Sequence, residues 1–496
     1  MTNAYTRPLG AFLPTIDPAR APLFAAGLQL DSRTVRPGDL FFALAAEPIR
    51  SRHIAQALAL GAQWIAVDDA LPLPDISADI LIPLEAPKAY LGQWAASFYG
   101  HPSKSLNLIG ITGTNGKSTC AFLLAQLLEA ASAEKAGVIG TLGYGHWRAT
   151  LTDTGKTTPD AINLQGILRT LLDAGITQVA MEVSSHALDQ GRVEGVQFAA
   201  AVFTNLTRDH LDYHGDMQSY ARAKQRLFAW PDLPLAVINV DDAYAIAMQR
   251  GIASHTRLLT YGLSGTSDAY ALNCKYSEQG ISFDYVSPWG QQRLHSPLLG
   301  QFNLENLLAS ITTLLALYPA LWPQLPTLAA ALQPVTGRMH LIPASSGAPK
   351  VVVDYAHTPD ALAKALAAVR VHATGKVWVV FGCGGDRDTG KRPLMAQVAE
   401  QGADVIVITS DNPRSEDPEQ IIADISLGLG KPAWLKEVDR PTAIAAAINA
   451  AAPNDWLLLA GKGHETYQHI GELILPMSDI ALAQTALAVY PRSEGA

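Results

Sequence analysis

Cysteine is scarce in this chain of 496 residues, which has only Cys120, Cys274 and Cys383. Three scattered thiols exclude a disulfide framework and a zinc site built from cysteines. The N-terminus also lacks the basic segment followed by an apolar stretch that a secretory signal peptide needs. We therefore expect a protein of the reducing cytoplasm.

Basic residues are the minority charge, because 36 Lys and Arg stand against 45 Asp and Glu and give a formal net charge of -9. This balance argues against the basic surface by which proteins bind nucleic acid regardless of sequence, so we expect no nucleic-acid partner. A small anionic substrate would have to be bound by local basic residues. Charged residues make up 16% and hydrophobic residues 48%, a composition that predicts a folded chain rather than a disordered one.

Uninterrupted hydrophobic runs long enough to cross a membrane are lacking as well. The uncharged stretch at residues 307–337 is broken by Pro319, Pro323, Pro326 and Pro334. These prolines interrupt it before ~20 apolar residues accumulate. We therefore expect no membrane insertion.

What the sequence does contain is an alternation of short apolar strands and helices. Residues 27–84 predict a small α/β unit. From residue 106 onward, continuous apolar strands separated by helices predict a parallel sheet covered on both faces. Residues 268–298 alternate in polarity and predict an antiparallel hairpin appended to that sheet. A third α/β series begins at residue 350.

The fold prediction is therefore α/β with three domains, in line with the about three that this length predicts at ~150 residues each. The central domain has a parallel sheet of the phosphate-loop type with the appended antiparallel hairpin, and the C-terminal domain is a Rossmann-like α/β domain. The pattern changes near residue 88 and near the turn at 334–337. The predicted domains are residues 1–88, 89–335 and 336–496.

The segment IGITGTNGKST at residues 109–119 follows a predicted strand and opens a predicted helix. Backbone N–H groups at such a helix start can surround phosphate oxygens, Lys117 can reach the terminal phosphates, and the Ser118 hydroxyl can bind Mg²⁺. The general spacing G-x-x-x-x-G-K-[ST] would place a glycine at Ile111, whereas this chain has it at Gly113. A glycine-rich turn with a surface lysine is the alternative, but the flanking strand and helix favour a phosphate loop. The residues expected to bind ATP here are Gly113, Thr114, Asn115, Gly116, Lys117, Ser118 and Thr119.

Acidic and imidazole side chains follow two further strands of the same predicted sheet. Glu182 ends one strand, and Asp209 and His210 follow another. Because the carboxyl ends of parallel strands share one edge, Glu182 and His210 can converge on the cation held by Ser118. Taken singly, a capping carboxylate and a structural histidine are the alternatives.

Lys224 lies in the amphipathic segment SYARAKQRLFAW, whose apolar face contains Tyr220, Leu227 and Phe228. The pattern alone predicts that Lys224 is a solvated surface lysine. Nothing in this local pattern connects it to the phosphate loop.

In the last third of the chain, the tetrapeptide DNPR at residues 411–414 follows the apolar strand VIVIT. Pro413 restricts the preceding residue to extended or turn conformations, so no helix begins at once and Asp411 and Arg414 can face a cleft. The planar fork of an arginine suits a carboxylate. A turn with a solvent-facing arginine is the alternative.

Two glycine-containing loops are predicted at the same sheet edge as DNPR. They are GCGGDRDTGKR, which contains Arg387, and AGKGHETYQ, which contains Gly461 and Glu465. Neither matches G-x-G-x-x-G, which disfavours a dinucleotide-dependent oxidoreductase. Their glycines would let the backbone approach a ligand closely, although each loop could also be only a tight turn.

Together these segments resemble the Mur ligases, a family of ATP-dependent amide-bond ligases of peptidoglycan synthesis. The resemblance spans almost the whole chain, because GTNGKST, MEVSSHALDQGR, TNLTRDHLDYHG, YARAKQRLF, GQFNLENLLAS, TGRMH, VDYAHTPDAL, GCGGDRDTGKRPLM, DNPR and GKGHETYQ occur in the family's order and spacing. DNPR is the pattern of members that add meso-diaminopimelate, whereas lysine-adding relatives lack the arginine. Folylpolyglutamate synthase shares the phosphate loop and the overall plan, but the DNPR, LDQGR and GKGHE segments resemble the muramyl enzymes.

The resemblance implies three small-molecule substrates: UDP-N-acetylmuramoyl-L-Ala-D-Glu, meso-diaminopimelate and ATP. It also implies that the C-terminal domain closes over the amino acid, and we expect the protein to be a cytoplasmic monomer. A P-loop switch or transport ATPase is the alternative from a different class. Such an ATPase would not need a third α/β domain with a carboxylate-reading arginine.

Further site residues are implied by their positions in the family's motifs. For the UDP-muramyl dipeptide they are Leu30, Ser32, Thr157, Thr158, Ser184, Gln190 and Arg192. For the adenosine end of ATP and the domain junction they are Asn306, Arg338 and Asp354. For diaminopimelate they are Arg387, Asp411, Asn412, Arg414, Gly461 and Glu465. Relatives often have a His-Gln-Ala run where this chain reads AEPI at residues 46–49, so contacts of that loop with the UDP substrate stay open.

The resemblance also implies two Mg²⁺ ions and a modified lysine. The catalytic residues would be Lys117, Glu182, His210 and Lys224, and the metal ligands Ser118, Glu182, His210 and Lys224. An ammonium cannot bind Mg²⁺, but a carbamate that Lys224 forms with CO₂ offers oxygen ligands. Pattern and resemblance therefore disagree about Lys224, and we follow the resemblance.

Overall fold

The computed structural model describes residues 5–490, which form two compact units. The first unit consists of residues 5–261 and 309–318, and the second of residues 262–308 and 319–490. Mixed α/β structure confirms the predicted fold class. Between residues 5 and 490, none of the helices combines the length and the apolar character that crossing a bilayer requires.

Among the described residues, the first unit is built from two larger sheets, one two-stranded sheet and eight α-helices. Its strands are β1 Arg7–Pro8, β2 Phe24–Ala25, β3 Gly27–Gln29, β4 Asp39–Phe42, β5 Trp64–Asp68, β6 Leu81–Leu84, β7 Asn107–Thr112, β8 Lys135–Gly140, β9 Gly143–His146, β10 Ile176–Glu182, β11 Ala200–Phe203, β12 Leu235–Asn239 and β13 Arg257–Gly262. Its helices are α1 Ile49–Ala59, α2 Pro87–Phe98, α3 Lys117–Ser132, α4 Ala161–Asp173, α5 Ser185–Asp189, α6 Leu211–His214, α7 Met217–Gln225 and α8 Ala245–Gln249.

The sheet that carries the phosphate loop runs β13-β12-β11-β7-β10-β8-β9 and is parallel except for the β8–β9 pair. Strands β11 and β12 are buried along their whole length, which is why they read as continuous apolar runs. Glu182 of β10 lies beside Ile111, and Phe203 of β11 lies beside Thr112. The loops that follow β7, β10 and β11 therefore begin at one edge, as predicted.

The N-terminal α/β unit predicted over residues 27–84 forms a parallel sheet of its own, in the order β3-β4-β5-β6. Its core contains Phe42 from β4 and Trp94 and Phe98 from α2. Helix α1, which lies between β4 and β5, ends at Ala59.

The second unit contains the antiparallel strands and the C-terminal α/β sheet. Its strands are β14 Ala269–Ser277, β15 Gly280–Ser287, β16 Gly290–Ser296, β17 His340–Ile342, β18 Lys350–Asp354, β19 Val377–Phe381, β20 Val405–Thr409, β21 Leu435–Glu437, β22 Trp456–Ala460, β23 Tyr467–Ile470 and β24 Leu473–Pro476. Its helices are α10 Leu325–Ala330, α11 Pro359–Arg370, α12 Lys391–Gly402, α13 Pro418–Ser426, α14 Arg440–Ala450 and α15 Asp479–Ala488, while α9 Gln301–Leu317 has residues in both units.

The antiparallel segment is larger than predicted. Strands β14, β15 and β16 form a three-stranded antiparallel meander, one strand more than the predicted hairpin. The chain reverses a second time at residues 287–290, where Ser287 pairs with Gly290. Gly290 has a φ of +127°, a conformation that side chains disfavour, so this glycine permits the second turn.

The C-terminal sheet runs β17-β18-β22-β19-β20-β21 and is parallel except for the edge pair β17–β18. Asp354 ends β18 beside Ala460 of β22, and Phe381 of β19 lies beside Ile408 of β20. The loops after β18, β19, β20 and β22 consequently start at one edge of the sheet. Each predicted domain range contains a parallel sheet, and the boundaries at residues 88 and 335 stay predictions.

Candidate active site

The phosphate loop joins β7 to α3, and its glycines are required by its shape. Gly116 precedes the first residue of α3 with a φ of +86°. A Cβ on Gly113 would overlap the hydroxyl of Thr204, the residue after β11. That hydroxyl donates to the carbonyl oxygen of Asn115 at 2.6 Å. Gly113, the glycine that departs from the general spacing, is therefore required because Thr204 leaves no space for a side chain there.

Lys117 folds back into its own loop. Its Nζ donates to the carbonyl oxygens of Gly113 and Thr114, at 2.9 Å in both cases. The loop is also braced from outside, because Asn205 Oδ1 accepts from the backbone N–H of Asn115 at 2.9 Å. Asn205 was not among the predicted site residues, although it lies in the loop after β11, at the same sheet edge as the phosphate loop.

Glu182 and Ser118 are in contact. The Ser118 hydroxyl donates to Glu182 Oε1 at 2.8 Å, and the backbone N–H of Thr141 donates to the same oxygen at 2.9 Å. Glu182 is 2% exposed, so the carboxylate is shielded by its partners. Thr141 was not predicted. It directly follows β8, so the rule that ligand residues follow the carboxyl ends of parallel strands would have found it.

The structure places His210 differently. Its ring lies near those of His186, at a centroid distance of 4.8 Å, and Tyr220, at 6.2 Å. It also contacts Asp209 at 3.4 Å, and both side chains are about half exposed. The hydrogen bonds of Glu182 and Ser118 do not include His210, so the convergence of Glu182 and His210 on a cation stays a prediction.

The predicted ligand set consists of a hydroxyl, a carboxylate, an imidazole and a carbamate. Over residues 5–490 there is no cluster of three or more His, Cys, Asp or Glu side chains arranged to hold a metal ion. The predicted set contains only two residues of those types. Oxygen donors are the ligands that Mg²⁺ prefers, and the Ser118–Glu182 contact beside the phosphate loop fits that preference.

Lys224 is buried, so the surface position predicted from the helix pattern is wrong. Its side chain is 1% exposed, and its Nζ donates to the Gly113 carbonyl oxygen at 2.9 Å. Burial, reinforced by the positive charge of Lys117, holds the pKa of Lys224 well below its usual value. The pattern failed because α7 turns the face with Tyr220 and Lys224 toward the phosphate loop.

The residues implied for the muramyl dipeptide form a connected group after β10. Thr158 Oγ1 donates to the Glu182 carbonyl oxygen at 2.9 Å and lies 3.3 Å from Ser184 Oγ. Arg192 donates to the Thr158 carbonyl oxygen at 3.0 Å and to Gln190 Oε1 at 2.6 Å. Desolvation lowers the pKa of Arg192, which has no carboxylate partner in its hydrogen bonds. The group is therefore suited to an anionic ligand.

A cavity of about 200 Å³ brings Leu30 together with Gln190 and Arg192. Ser32 is buried and donates to Gln56 at 2.8 Å. Thr157 lies at the other end of the group, with its hydroxyl 3.0 Å from that of Thr141.

The segment at residues 46–49, which departs from the family pattern, is tied to the start of α1. Glu47 accepts from Arg50 Nε at 2.8 Å and from the Ser51 hydroxyl at 2.8 Å. These bonds hold the loop against its own helix. Its contact with a UDP substrate stays open.

In the second unit, Asn412 and Glu465 are joined by a buried lysine. Lys462, which is fully buried, donates to Asn412 Oδ1 at 2.8 Å and to Glu465 Oε2 at 2.7 Å. Asn412 Nδ2 donates to the same Glu465 oxygen at 3.0 Å. Lys462 belongs to the GKGHE loop but was not among the predicted site residues.

Arg414 and Arg387 approach the same glycine. A Cβ on Gly384 would lie 3.0 Å from Arg414 Nη1 and 3.9 Å from Arg387 Cγ. Arg414 has a φ of +51°, and its Nη1 donates to the Gly385 carbonyl oxygen at 2.6 Å. No helix begins until Pro418, as the proline in DNPR predicts. Arg387 is exposed.

Asp411 and Gly461 are adjacent across this edge. A Cβ on Gly461 would lie 2.5 Å from Asp411 Oδ2, and Gly461 has a φ of +112°, so this position requires glycine. The Asp411 carbonyl oxygen accepts from Gln468 at 2.7 Å. The structure thus brings together the six residues implied for diaminopimelate in three neighbouring loops of one unit.

Asp354 and Arg338 are neighbours in the second unit. Asp354 accepts the backbone N–H groups of Met339 at 2.7 Å and Ala356 at 2.9 Å, and burial raises its pKa. The Arg338 guanidinium lies 4.4 Å from the centre of the Tyr355 ring. Asn306, also in this unit, donates to Asn303 at 3.2 Å. The role of Asn306, Arg338 and Asp354 toward ATP stays a prediction.

Comparison with known proteins covers nearly the whole chain. Residues 111–314 match the model of the Mur ligase middle domain, and residues 337–463 match that of the Mur ligase glutamate ligase domain. The chain is 48% identical over 488 residues to the UDP-N-acetylmuramoyl-L-alanyl-D-glutamate–2,6-diaminopimelate ligase of Ectopseudomonas mendocina, with 97% of this chain and 98% of that protein covered. It is 49% identical to the ligase of the same name from Pseudomonas aeruginosa, with 95% and 97% covered.

A solved structure agrees with this similarity. A UDP-N-acetylmuramoyl-L-alanyl-D-glutamate–2,6-diaminopimelate ligase superposes with a TM-score of 0.72 at 37% identity, covering 97% of this chain and 99% of that one. The matched region of this chain includes residues of both units.

The buried Lys224 should make stability depend on pH. A lysine whose pKa is lowered on folding binds fewer protons in the native state than in the unfolded one, so stability rises as pH increases from the native pKa toward the unfolded value of ~10.4. We expect Lys224→Met to remove that rise in the free energy of unfolding, measured by urea titration in CO₂-free buffer from pH 7 to 10.

The exposed Lys364 provides the control, since Lys364→Met should retain the pH dependence of the unaltered protein. Identical slopes for Lys224→Met and the unaltered protein would mean that Lys224 keeps its ordinary pKa in the fold.

Proposed function

Because the chain belongs to the Mur ligase family, we propose that it joins meso-diaminopimelate to the γ-carboxylate of D-glutamate in UDP-N-acetylmuramoyl-L-Ala-D-Glu, with conversion of ATP to ADP and phosphate. The observation that carries this proposal is the convergence of two lysine side chains, Lys117 and Lys224, on the carbonyl oxygen of Gly113. Both nitrogens lie at the phosphate loop, where Lys117 supplies positive charge and the amine of Lys224 is buried. The reaction would serve peptidoglycan precursor synthesis in the cytoplasm.

The chemistry requires activation of a carboxylate, which is a poor acyl donor at neutral pH. Transfer of the γ-phosphoryl group of ATP to the D-glutamyl γ-carboxylate gives an acyl phosphate and ADP. The amine of diaminopimelate then attacks the acyl carbon, and phosphate leaves as the amide forms. Lys117 would offset the charge of the transferring group, which is where an electrostatic contact accelerates phosphoryl transfer.

Ser118 and Glu182 would hold Mg²⁺, together with His210 and a carbamate on Lys224. When bound, Mg²⁺ neutralises charge on the phosphate oxygens. Lys224 suits carbamate formation because its buried amine has a lowered pKa, and the neutral amine is the form that adds to CO₂. Thr158, Ser184, Gln190 and Arg192 would orient the muramyl dipeptide.

In the second unit, Arg414 would bind the carboxylate that distinguishes diaminopimelate from lysine. Asp411, Asn412 and Gly461 would surround that carboxylate. Glu465 would accept the ammonium of the same distal centre. Its bonds from Lys462 and Asn412 both go to Oε2, which leaves Oε1 available for that role.

Phosphate release tests the proposed function most directly. Turnover should require both UDP-N-acetylmuramoyl-L-Ala-D-Glu and meso-diaminopimelate, and Lys117→Ala should lower it by on the order of 10²-fold or more, because it removes a charge aimed at the transferring phosphoryl group. Two substrate pairs serve as comparisons: the same UDP-muramyl dipeptide with lysine, and a folate substrate with glutamate. Rapid hydrolysis of ATP with no acceptor would favour a switch ATPase, and preferred use of either comparison pair would favour that ligase instead.

The carbamate predicts a chemical rescue. Lys224→Ala should be nearly inactive, because the oxygen ligands that the carbamate provides are lost. Formate or acetate should restore part of the activity by supplying a carboxylate in the vacated space, as followed by product formation. The exposed Lys364→Ala should be unaffected by either acid. Full activity of Lys224→Ala without additive would overturn the carbamate.

Arg414 should determine the choice between diaminopimelate and lysine. Lysine lacks the terminal carboxylate and would leave a desolvated guanidinium without its ligand, so we expect discrimination of roughly 10²-fold or more in kcat/KM. Arg414→Ala should raise KM for diaminopimelate strongly. Arg414→Lys should not restore it, since the planar fork is lost.

The surface residue Arg370, which pairs with Asp404, provides the control as Arg370→Ala. If Arg414→Ala keeps the original kcat/KM for diaminopimelate and still rejects lysine, specificity resides elsewhere. Arg387 would then be the next residue to vary.

A further inference from the structure

The Tyr220 side chain lies at the junction of three segments around the phosphate loop. It projects from α7 and is 1% exposed. Its hydroxyl lies 3.2 Å from Thr114 Oγ1 in the loop. Its ring lies 5.1 Å from that of His214 at an interplanar angle of 30°. The sequence pattern assigned Tyr220 to an apolar face, and the proposed reaction gives it no role.

The direction of the Tyr220–Thr114 hydrogen bond follows from counting protons. The Thr114 hydroxyl has one proton, which it donates to the Thr207 carbonyl oxygen at 3.2 Å. It accepts from the backbone N–H of Thr207 at 3.0 Å. Tyr220 is then the donor to Thr114, and its hydroxyl completes a network that joins the loop to the segment leading to His210.

Tyr220 and Lys224 are four residues apart on α7 and so lie on one helix face. From consecutive turns they contact consecutive residues of the loop: Lys224 reaches the Gly113 carbonyl oxygen, and Tyr220 reaches the Thr114 hydroxyl. The Lys224 ammonium lies 4.7 Å from the centre of the Tyr220 ring. The helix therefore holds the loop at two adjacent points.

We propose that Tyr220 is a positioning residue for nucleotide binding, which fixes the phosphate loop through its hydrogen bond to Thr114. This inference rests on the proposed function in that it takes the loop to bind ATP. The loop amides must stand at fixed positions to surround phosphate oxygens, and a bond from the rigid face of α7 restricts the loop before the nucleotide arrives. Tyr220 itself need not touch the nucleotide.

The experiment measures the affinity for ADP by isothermal titration calorimetry with Mg²⁺ and without the other substrates. Tyr220→Phe removes one oxygen and keeps the ring, and should weaken ADP binding roughly 3- to 10-fold, the range that one lost hydrogen bond produces. In turnover, KM for ATP should rise while KM for the UDP-muramyl dipeptide stays unchanged. Tyr261→Phe is the matched control, because it removes another buried hydroxyl, bonded to the Phe203 carbonyl oxygen.

A double-mutant cycle separates positioning from a general loss of structure. Thr114→Val removes the acceptor, so adding Tyr220→Phe to it should cost no further affinity. Thr114→Ser keeps the acceptor, so Tyr220→Phe should retain its full effect in that background. Thermal unfolding of each variant should match that of Tyr261→Phe.

The outcomes distinguish this inference from the proposed function. No binding of ADP by the unaltered protein would contradict the proposed function. Normal ADP binding by the unaltered protein, together with unchanged affinity in Tyr220→Phe or additive losses in the Thr114→Val background, would overturn the role of Tyr220 alone.

Discussion

The close approach of Gly113 to the residue after β11 is the constraint on which the phosphate loop depends. The space that a side chain would need is filled by the Thr204 hydroxyl, which also binds the loop at Asn115. The Gly113 carbonyl oxygen in turn accepts from two lysines. One backbone position therefore fixes the loop against a neighbouring strand and sets where positive charge accumulates.

Two lysine side chains that approach one carbonyl oxygen bring like charges close together. Lys224 is desolvated and repelled by Lys117, and these effects lower its pKa. A phosphate group or a carbamate would relieve that repulsion, because either adds negative charge. The arrangement thus favours ligands of the charge that the proposed reaction supplies.

The second unit also places basic side chains in loops at the carboxyl edge of a parallel sheet. Loops after neighbouring parallel strands meet at one edge, where Lys462 is held by Asn412 and Glu465 while Arg414 remains bonded to a backbone carbonyl. A buried lysine here is satisfied by a carboxylate and an amide, unlike Lys224. Lys462 therefore organises the loops, and Arg414, which has no carboxylate among its hydrogen-bond partners, is the residue suited to an incoming carboxylate.

The sequence alone determined the α/β class, the position of the phosphate loop and the strand ends at which Glu182 lies in the first unit and Asp411 and Gly461 lie in the second. These features follow from local periodicity and from the rule that parallel strands end together. Only the tertiary structure decided which polar residues are buried. The helix pattern predicted a solvated Lys224 because such a pattern does not specify the surface against which the helix packs. The glycine-rich loop likewise gave no sign that Lys462 is buried. Burial of a charge depends on partners that lie far away in the chain, such as the Gly113 carbonyl for Lys224 and Asn412 for Lys462.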